Sequence, residues 1–222
     1  MADMLSTGVS GLLAAQVGMG TVSHNVANVN TAGYSRQLVS FGARAPEWQG
    51  GFYIGTGVDT MAVQRAYSQF LNNSLWSAAA GQGRADTMAS LTTQINSQVS
   101  GSTNLQTALD SFYGAVQDMA NAPADAASRQ AVLARAGALA STFTSLSGQF
   151  SQLAGQVKQQ LGETVDSINS DSAAIAKLNG LIRTAAGNNG MPPADLLDQR
   201  DALVKKLAGE VGISVVPQTD NT

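Results

Sequence analysis

The sequence of residues 25–37 is NVANVNTAGYSRQ, and this stretch separates two different patterns in the chain. Before it, apolar residues recur every seven positions, which is typical of an amphipathic helix. After it, apolar and polar residues alternate in places, as they do in a strand. Its Asn and Thr side chains can cap a helix and bond a turn, and Gly33 can adopt a conformation that other residues avoid. The stretch therefore predicts a helix exit into an extended region.

The segment before this stretch predicts an amphipathic helix from residue 4 to about residue 28. One side of the helix forms a narrow apolar seam, which consists of Leu5, Val9, Leu12, Met19, Val22 and Val26. A seam of this kind is normally covered by a partner helix. Each of the four glycines in the segment also costs about 0.5–1 kcal/mol of helix stability relative to alanine, so the helix alone would be marginally stable. We therefore expect residues 1 to about 30 to be mobile in isolation and ordered in an assembly.

Residues 34–64 predict a β-hairpin region. In parts of this segment apolar residues recur at every second position, and glycines interrupt the pattern at expected turns. Gly50 and Gly51 are the expected turn. Residues 44–48 are expected to be a loop that carries an exposed aromatic side chain. The segment 55–57, Gly-Thr-Gly, is interpreted as a strand bend, since no dinucleotide-binding spacing follows it.

Helical patterns occupy most of the remaining sequence. One helix is predicted over 63–100, weakened at Gly81 and Gly83 and ended by Gly101-Ser102, and a shorter one over about 105–120. Residues 121–125 predict a turn.

The longest pattern predicts one helix of roughly 60 residues, from about 125 to 185, which extends roughly 90 Å at 1.5 Å per residue. Residues 187–190 are expected to break it, and Pro193 to start the next helix. A strand is predicted over 213–216.

The predicted fold class is mainly α, with an N-terminal coiled-coil-type helix, a β-hairpin region and an elongated helical bundle that contains one very long helix. The predicted domains are 1–33, with the helix and the motif; 34–64, the hairpin region; 65–211, the elongated α-helical domain; and 212–222, the start of an incomplete strand-containing region.

Composition argues against several classes of protein. Only 12% of the residues are charged, about half the usual share. The net charge is −3 and no basic cluster occurs beyond Lys205-Lys206, which argues against nucleic acid or anionic lipid as a partner. Cysteine is absent, which excludes disulfides and thiolate metal sites. No apolar run approaches the roughly 20 residues of a membrane span, and no cationic region begins a Sec-type signal.

No catalytic constellation is predicted. His24 is the only histidine, and no Ser, Asp or Cys is spaced to act with it, so it is interpreted as a helix-surface or interface residue. Asp195, Asp198 and Asp201 surround Arg200, and this pattern favours salt bridges or caps over a metal site. We therefore predict a protein that is not an enzyme and that binds no cofactor and no metal.

The stretch 25–37 resembles the signature Asn-x-Ala-Asn-x-x-Thr-x-Gly-Tyr/Phe of the bacterial flagellar axial proteins, which form the rod, the hook and the hook-associated layers. The segments 34–37, 55–58, 63–71 and 195–204 also resemble hook-associated members of this family, so the resemblance covers nearly the whole chain. It implies an assembly role for the motif residues Asn25, Asn28, Thr31, Gly33, Tyr34 and Arg36, which link the inner helix to the outer domain.

The resemblance implies a structural subunit at the hook-filament junction of the secreted, extracellular flagellum. The implied partners are other copies of the subunit in a helical layer, the hook protein, hook-associated protein 3, the flagellar type III export apparatus and a secretion chaperone. Members of the family are usually longer and end in a second heptad helix, which pairs with the first and binds the chaperone. The chain is therefore interpreted as an N-terminal portion that lacks this helix.

Two alternatives remain open at this point. One is a rod or hook subunit, against which the segments 34–37 and 197–201 count. The other is a peptidoglycan hydrolase fused to an axial module, which requires catalytic carboxylates in a cleft. The long heptad regions leave little room for such a cleft.

Overall fold

The computed structural model describes residues 4–100, 105–189 and 191–216. Helices dominate these residues, which confirms the prediction of a mainly α protein. The helices are α1 (Met4–Ala27), α2 (Gln69–Ser100), α3 (Leu105–Asn121), α4 (Ala126–Asn189) and α5 (Ala194–Glu210). With 64 residues, α4 is the very long helix that the heptad pattern predicts.

Two short antiparallel ribbons separate α1 from α2. The first joins β1 (Gln37–Ala43) to β4 (Val58–Arg65), with a register shift between Ser40 and Phe41. The second joins β2 (Glu47–Gln49) to β3 (Phe52–Ile54). Gly50 and Gly51 turn between β2 and β3 with φ angles of 63° and 97°, which confirms the predicted turn. Positive φ is favourable there because glycine has no Cβ.

Helix α1 packs on the ribbon of β1 and β4. The chain folds into two compact units, Met1–Ala80 with Ser170–Thr222, and Gly81–Asn169. In the first unit, the buried residues Trp76, Val204 and Ala208 form a core, against which Ile175 and Ile213 pack. This core holds α5 in place, and α5 carries the acidic residues described below.

Two predictions for the strand region are wrong. Helix α2 begins at Gln69, and not at residue 63, because residues 58–65 form β4, which pairs with β1 at every position except Met61. The β-branched residues Val58 and Val63 favour that extended conformation. Residues 44–48 are only in part a loop, since Glu47 and Trp48 belong to β2, although Trp48 is exposed as expected.

Glycines interrupt the helices less than predicted. Helix α2 continues through Gly81 and Gly83, and α4 continues through Gly187 to Asn189. A helical glycine costs only about 1 kcal/mol relative to alanine, so a long helix tolerates one or two of them. Gly190 and the predicted helix end at Gly101-Ser102 lie outside the described residues.

Residues 213–216 do not form the predicted strand. An extended segment becomes a strand only when its backbone groups pair with a neighbour, and no such pairing is present in the part of the chain that the structure describes. Ile213 instead packs against the core around Trp76.

Candidate functional site

Asn25, in the last turn of α1, ties the end of the helix to the first strand. Its Oδ1 accepts the backbone N–H of Gln37 at 2.8 Å and the Tyr34 hydroxyl at 2.7 Å. Its Nδ2 donates to the Gln37 carbonyl oxygen at 2.9 Å. One side chain therefore bonds both backbone groups of Gln37 and fixes where β1 begins relative to α1. Asparagine is suited to this role because its amide both donates and accepts.

The residues between α1 and β1 form a bonded turn. Asn28 donates from Nδ2 to the His24 carbonyl oxygen at 3.0 Å, and Thr31 donates from Oγ1 to Asn28 Oδ1 at 3.2 Å. Gly33 has a φ angle of 82°, and a Cβ atom there would lie 3.4 Å from Cβ of Ala202 on α5. A larger residue at this position would strain the turn and crowd α5.

Arg65, at the end of β4, forms a buried ion pair with α5. Its Nη1 lies 2.9 Å from Asp198 Oδ1 and 2.7 Å from Asp201 Oδ2. The side chains of Arg65 and Asp198 are only 9% and 8% exposed. Asp198 Oδ2 also accepts the backbone N–H of Ser35 at 2.8 Å. The Arg65 guanidinium lies 4.1 Å from the centroid of the Tyr67 ring. Each charge is therefore paired and hydrogen bonded, as burial requires.

Asp195, in the first turn of α5, is more exposed and contacts Gln37 and His24. Its Oδ1 accepts Gln37 Nε2 at 2.9 Å and lies 3.4 Å from His24 Nε2. The His24 ring packs edge to face on Tyr34, with centroids 5.5 Å apart. Burial raises the pKa of Tyr34, and the nearby charges of Asp195 and Asp198 raise it further.

Three segments that are distant in sequence thus meet at one joint. The joint consists of residues 25–37, Arg65 with Tyr67, and the α5 residues Asp195, Asp198 and Asp201. The predicted salt bridges of Asp198 and Asp201 are confirmed, but their main partner is Arg65, and this partner was not predicted. Arg200 lies 3.5 Å from Asp201. One signal was present, since Arg65 is the only basic residue between Arg44 and Arg84.

Helix α1 contacts the ribbon through its small and polar residues. Ser10 is buried, donates from Oγ to the Thr7 carbonyl oxygen at 2.8 Å and accepts the Val58 N–H at 3.2 Å. Ala14 is also buried. A Cβ on Gly18 would lie 3.7 Å from the Phe41 ring. Close approach of the helix to the ribbon therefore depends on small side chains.

The apolar seam lies on the opposite side of α1 and is exposed. Leu12 is 69% exposed, Val9 is 46% exposed, and the other seam residues, Leu5, Met19, Val22 and Val26, are exposed as well. Arg36 is exposed too, and its carbonyl oxygen accepts the Ala66 N–H at 2.7 Å at the base of the ribbon. The predicted site residues thus divide into a seam that faces outward and a motif that lies in or beside the joint.

The side chains of the joint do not form a metal-binding site. Within residues 4–100, 105–189 and 191–216, no group of His, Asp or Glu side chains has the arrangement of a metal site. The two most buried carboxylates of the joint, Asp198 and Asp201, are both ion-paired with Arg65. None of the helices in these ranges is long and apolar enough to cross a membrane.

Comparison with known proteins places the chain among flagellar proteins. Residues 5–34 match the family model of the flagella basal body rod protein. The matched residues include the seam and most of the motif. Residues 83–222 match the family model of the flagellar hook-associated protein FlgK helical domain. The second match covers more than half of the chain. The chain therefore belongs to the family of flagellar hook-associated protein FlgK.

Similar curated proteins come from several bacteria. Flagellar hook-associated protein 1 of Escherichia coli is 32% identical over 224 residues, which cover 100% of this chain and 41% of that protein. The protein of the same name from Salmonella typhimurium is 34% identical, with 100% and 40% coverage. The one from Bacillus subtilis is 31% identical, with 95% and 43% coverage. The chain spans about two fifths of the length of these relatives.

Proposed function

We propose that this chain acts as a structural, non-enzymatic subunit at the hook-filament junction of the bacterial flagellum, where it joins the hook to the filament by helix packing and self-association. Its membership in the hook-associated family and the name shared by its relatives support this function. The observation that carries the proposal is the exposed apolar seam of α1, because a monomer gains nothing from a seam that faces water.

The joint supports the proposal mechanically. A seam can position one subunit against another only if α1 has a fixed direction relative to the rest of its own unit. Asn25 fixes the start of β1, and the ion pair of Arg65 with Asp198 and Asp201 fixes the end of β4 on α5. Force applied to α1 would therefore be transmitted through the motif to α5.

The proposed partners of the seam and of the outer surfaces are other copies of the subunit, the hook protein and hook-associated protein 3. We further propose that the subunit leaves the cell through the flagellar export apparatus. A secretion chaperone would bind a C-terminal helix of the whole protein. The match of residues 83–222 to the hook-associated helical domain disfavours a rod or hook subunit, since the N-terminal match alone is shared with rod proteins.

The experiment uses a motile flagellated bacterium that lacks its own hook-associated protein 1. The chain is expressed there beside a full-length relative, and secreted and hook-tip fractions are analysed. We expect the chain to be recovered at hook tips. Secretion without recovery at hook tips would contradict docking by this part of the protein. Absence from both fractions, beside a working full-length control, would contradict the proposed function of the chain.

A variant pair tests the seam itself. Leu12→Gln combined with Met19→Gln removes apolar surface, and the control, Leu12→Met with Met19→Leu, keeps it. We expect the polar pair to reduce recovery at the hook tip by at least about tenfold, the equivalent of about 1.4 kcal/mol. Equal recovery of both pairs would contradict a role for the seam.

A cell-wall digestion assay addresses the hydrolase alternative. The purified chain is incubated with peptidoglycan, and released fragments are measured against a known hydrolase. We expect release at the level of buffer alone. Fragment release that depends on the chain would contradict a purely structural function.

A further inference from the structure

Met19 is the one residue of the α1 seam whose side chain a mild oxidant attacks. The other seam residues are Leu5, Val9, Leu12, Val22 and Val26. Their side chains are hydrocarbons, which do not react with a peroxide. The chain also has no cysteine, so no thiol competes with its methionine thioethers for the oxidant. The seam therefore contains a single candidate site for oxidative modification.

The fold presents the Met19 side chain to solvent. Met19 is 67% exposed, whereas Ser10, on the side of α1 that faces the ribbon, is 3% exposed. At about 100° per residue, Met19 lies about 180° around the helix from Ser10. Ser10 Oγ accepts the Val58 N–H at 3.2 Å, so α1 cannot turn Met19 inward without breaking that bond. A dissolved oxidant therefore reaches the sulfur atom of the free subunit.

Met19 also lies at the centre of the seam. Leu12 and Val26 lie one heptad before it and one heptad after it, and each is displaced by only about 20° around the helix. A residue at such a heptad position inserts as a knob between four residues of a facing helix. The Met19 sulfur is therefore in the middle of the surface that the proposed assembly covers.

We propose that oxidation of Met19 to methionine sulfoxide by hydrogen peroxide is a reversible switch that turns off docking of the free subunit. The thioether sulfur attacks one peroxide oxygen, an S–O bond forms and the O–O bond breaks. The sulfur is oxidised by two electrons, and the second oxygen is reduced and leaves as water with the proton of the first. The proposal rests on the function proposed above, because the added oxygen disturbs a seam that docking covers.

The sulfoxide oxygen changes what Met19 contributes to a contact. A thioether is apolar and flexible, and it fills gaps between apolar side chains. A sulfoxide is polar, and its oxygen accepts hydrogen bonds. Inside a covered seam of leucine and valine side chains, this oxygen loses its hydration without gaining a donor. Oxidation therefore disfavours the docked state, whereas the contacts of α1 with the ribbon lie on the opposite side of the helix and persist.

The test uses isolated hooks from a bacterium that lacks its own hook-associated protein 1. Purified chain is treated with hydrogen peroxide, separated from the oxidant and added to the hooks, and the bound chain is measured. We expect the treated chain to bind at least about tenfold less than the untreated chain, and methionine sulfoxide reductases to restore binding. Circular dichroism should show the same helix content before and after oxidation.

Two leucine variants isolate the position of the effect. Met19→Leu removes the sulfur from the seam and keeps its apolar surface, so it should bind hooks equally well with and without peroxide treatment. Met88 is 62% exposed on α2, outside the seam, so Met88→Leu should lose binding on oxidation as the parent chain does. Peptide mass mapping should show that Met19 is oxidised at least about tenfold more slowly in hook-bound chain than in free chain.

The outcomes separate the switch from the docking function. Equal binding of the untreated and the oxidised parent chain would overturn the switch and leave docking intact. An equal loss of binding in oxidised Met19→Leu would also overturn it, because the effect would then arise at another methionine. Oxidation of Met19 at the same rate in free and hook-bound chain would contradict coverage of the seam. If the untreated chain does not bind hooks, the proposed function fails and the switch fails with it.

Discussion

The two sides of α1 differ in a way that reverses the usual arrangement of an amphipathic helix. The side that packs on the ribbon presents Ser10, Ala14 and Gly18, whereas the side that faces outward presents the apolar seam. In a typical surface helix the apolar stripe faces the core. Contacts inside the chain therefore depend here on small side chains and hydrogen bonds, while the apolar area of α1 stays available for contacts between chains.

The same contrast separates the joint from the seam. The joint is polar, partly buried and directional, because Asn25, Arg65 and Asp198 each bond defined partners. The seam is apolar, and hydrophobic contact is not directional. The hydrogen bonds and ion pairs of the joint set the orientation of α1 on its own unit. The apolar contacts of the seam then stabilise the association of α1 with another chain. Substitutions in the joint should therefore change the stability of the isolated chain far more than substitutions in the seam.

Asp198→Ala should have the largest effect on stability. It leaves Arg65 with only Asp201 and removes the acceptor of the Ser35 N–H, so we expect the free energy of unfolding to fall by about 3–5 kcal/mol. Urea unfolding followed by Trp76 fluorescence measures this in a Trp48→Phe background, because the chain has two Trp residues and Trp76 lies in the core of the same unit as the joint.

The exposed pair of Arg44 with Asp59 is the matched control for that prediction, since its side chains are 39% and 52% exposed. Asp59→Ala should lower the free energy of unfolding by at most about 1 kcal/mol. Equal losses for Asp198→Ala and Asp59→Ala would show that the joint does not stabilise the unit through burial of its charges.

Gly57→Ala should have an intermediate effect. Gly57 has a φ angle of 114°, and a Cβ there would collide with Ser10 Oγ, so the substitution both strains the ribbon and displaces α1. We expect a loss of about 1–3 kcal/mol in the free energy of unfolding, together with faster hydrogen exchange around Ser10. The measurements are urea unfolding and amide exchange read by mass spectrometry.

Gly8→Ala provides a control of opposite sign in the same part of α1. A Cβ on Gly8 meets nothing within 4 Å, so the variant should gain about 0.5–1 kcal/mol of helix stability. Slower exchange in Gly57→Ala than in the parent chain would contradict the packing described for Ser10.

The seam should contribute little to the stability of the isolated chain. Leu12→Gln replaces an exposed residue with another good helix former, so we expect the free energy of unfolding to change by no more than about 0.5 kcal/mol. Ala14→Leu, two positions away on the buried side, should lower it by about 1–3 kcal/mol through overpacking. Thermal and urea unfolding of both variants test this contrast. A large loss for Leu12→Gln would place the seam inside the fold.

The smallest effect concerns the ionisation of Tyr34. Because its pKa is raised above the ordinary value of 10.0, mainly by burial, the folded state retains the phenolic proton longer than the unfolded state. The contribution of Tyr34 to stability is therefore complete below pH 10.0 and is lost as the pH rises through the folded-state pKa. The tyrosinate absorbance of the parent chain minus that of Tyr34→Phe should show a midpoint above 10.0. A midpoint below that value would contradict burial at the joint.

Helix α1 and the joint show which parts of the structure were predictable. The seven-residue repeat predicted α1 nearly to its ends, and the repeat at Val132, Leu139, Leu146 and Leu153 predicted α4. Periodicity is a local property, so it appears in the sequence without knowledge of the neighbours. The start of α2 was wrong because residues 63–65 are held in β4 by pairing with β1, and pairing depends on a segment about 25 residues earlier in the chain.

The expected mobility of residues 1 to about 30 stays a prediction, and so do the division into domains and the assembly role of the seam and motif residues. Hydrogen exchange of the dilute chain tests the first of these, and strong protection of Val9 through Val22 would contradict it. In the structure, the contacts of Ser10 and Asn25 hold α1 near its start and near its end. Exchange data should therefore show whether these polar contacts suffice to keep the helix formed.

Most of each helix, the turn at Gly50 and Gly51, the low charge and the flagellar motif could be recognised in the sequence, because they depend on local residue order or on composition. Two features became visible only in the folded chain: the side of α1 that faces the ribbon, and the pairing of Arg65 with Asp198 and Asp201. These features depend on contacts between segments far apart in the chain. A single sequence carries no direct record of such contacts, since they arise from the packing of whole elements.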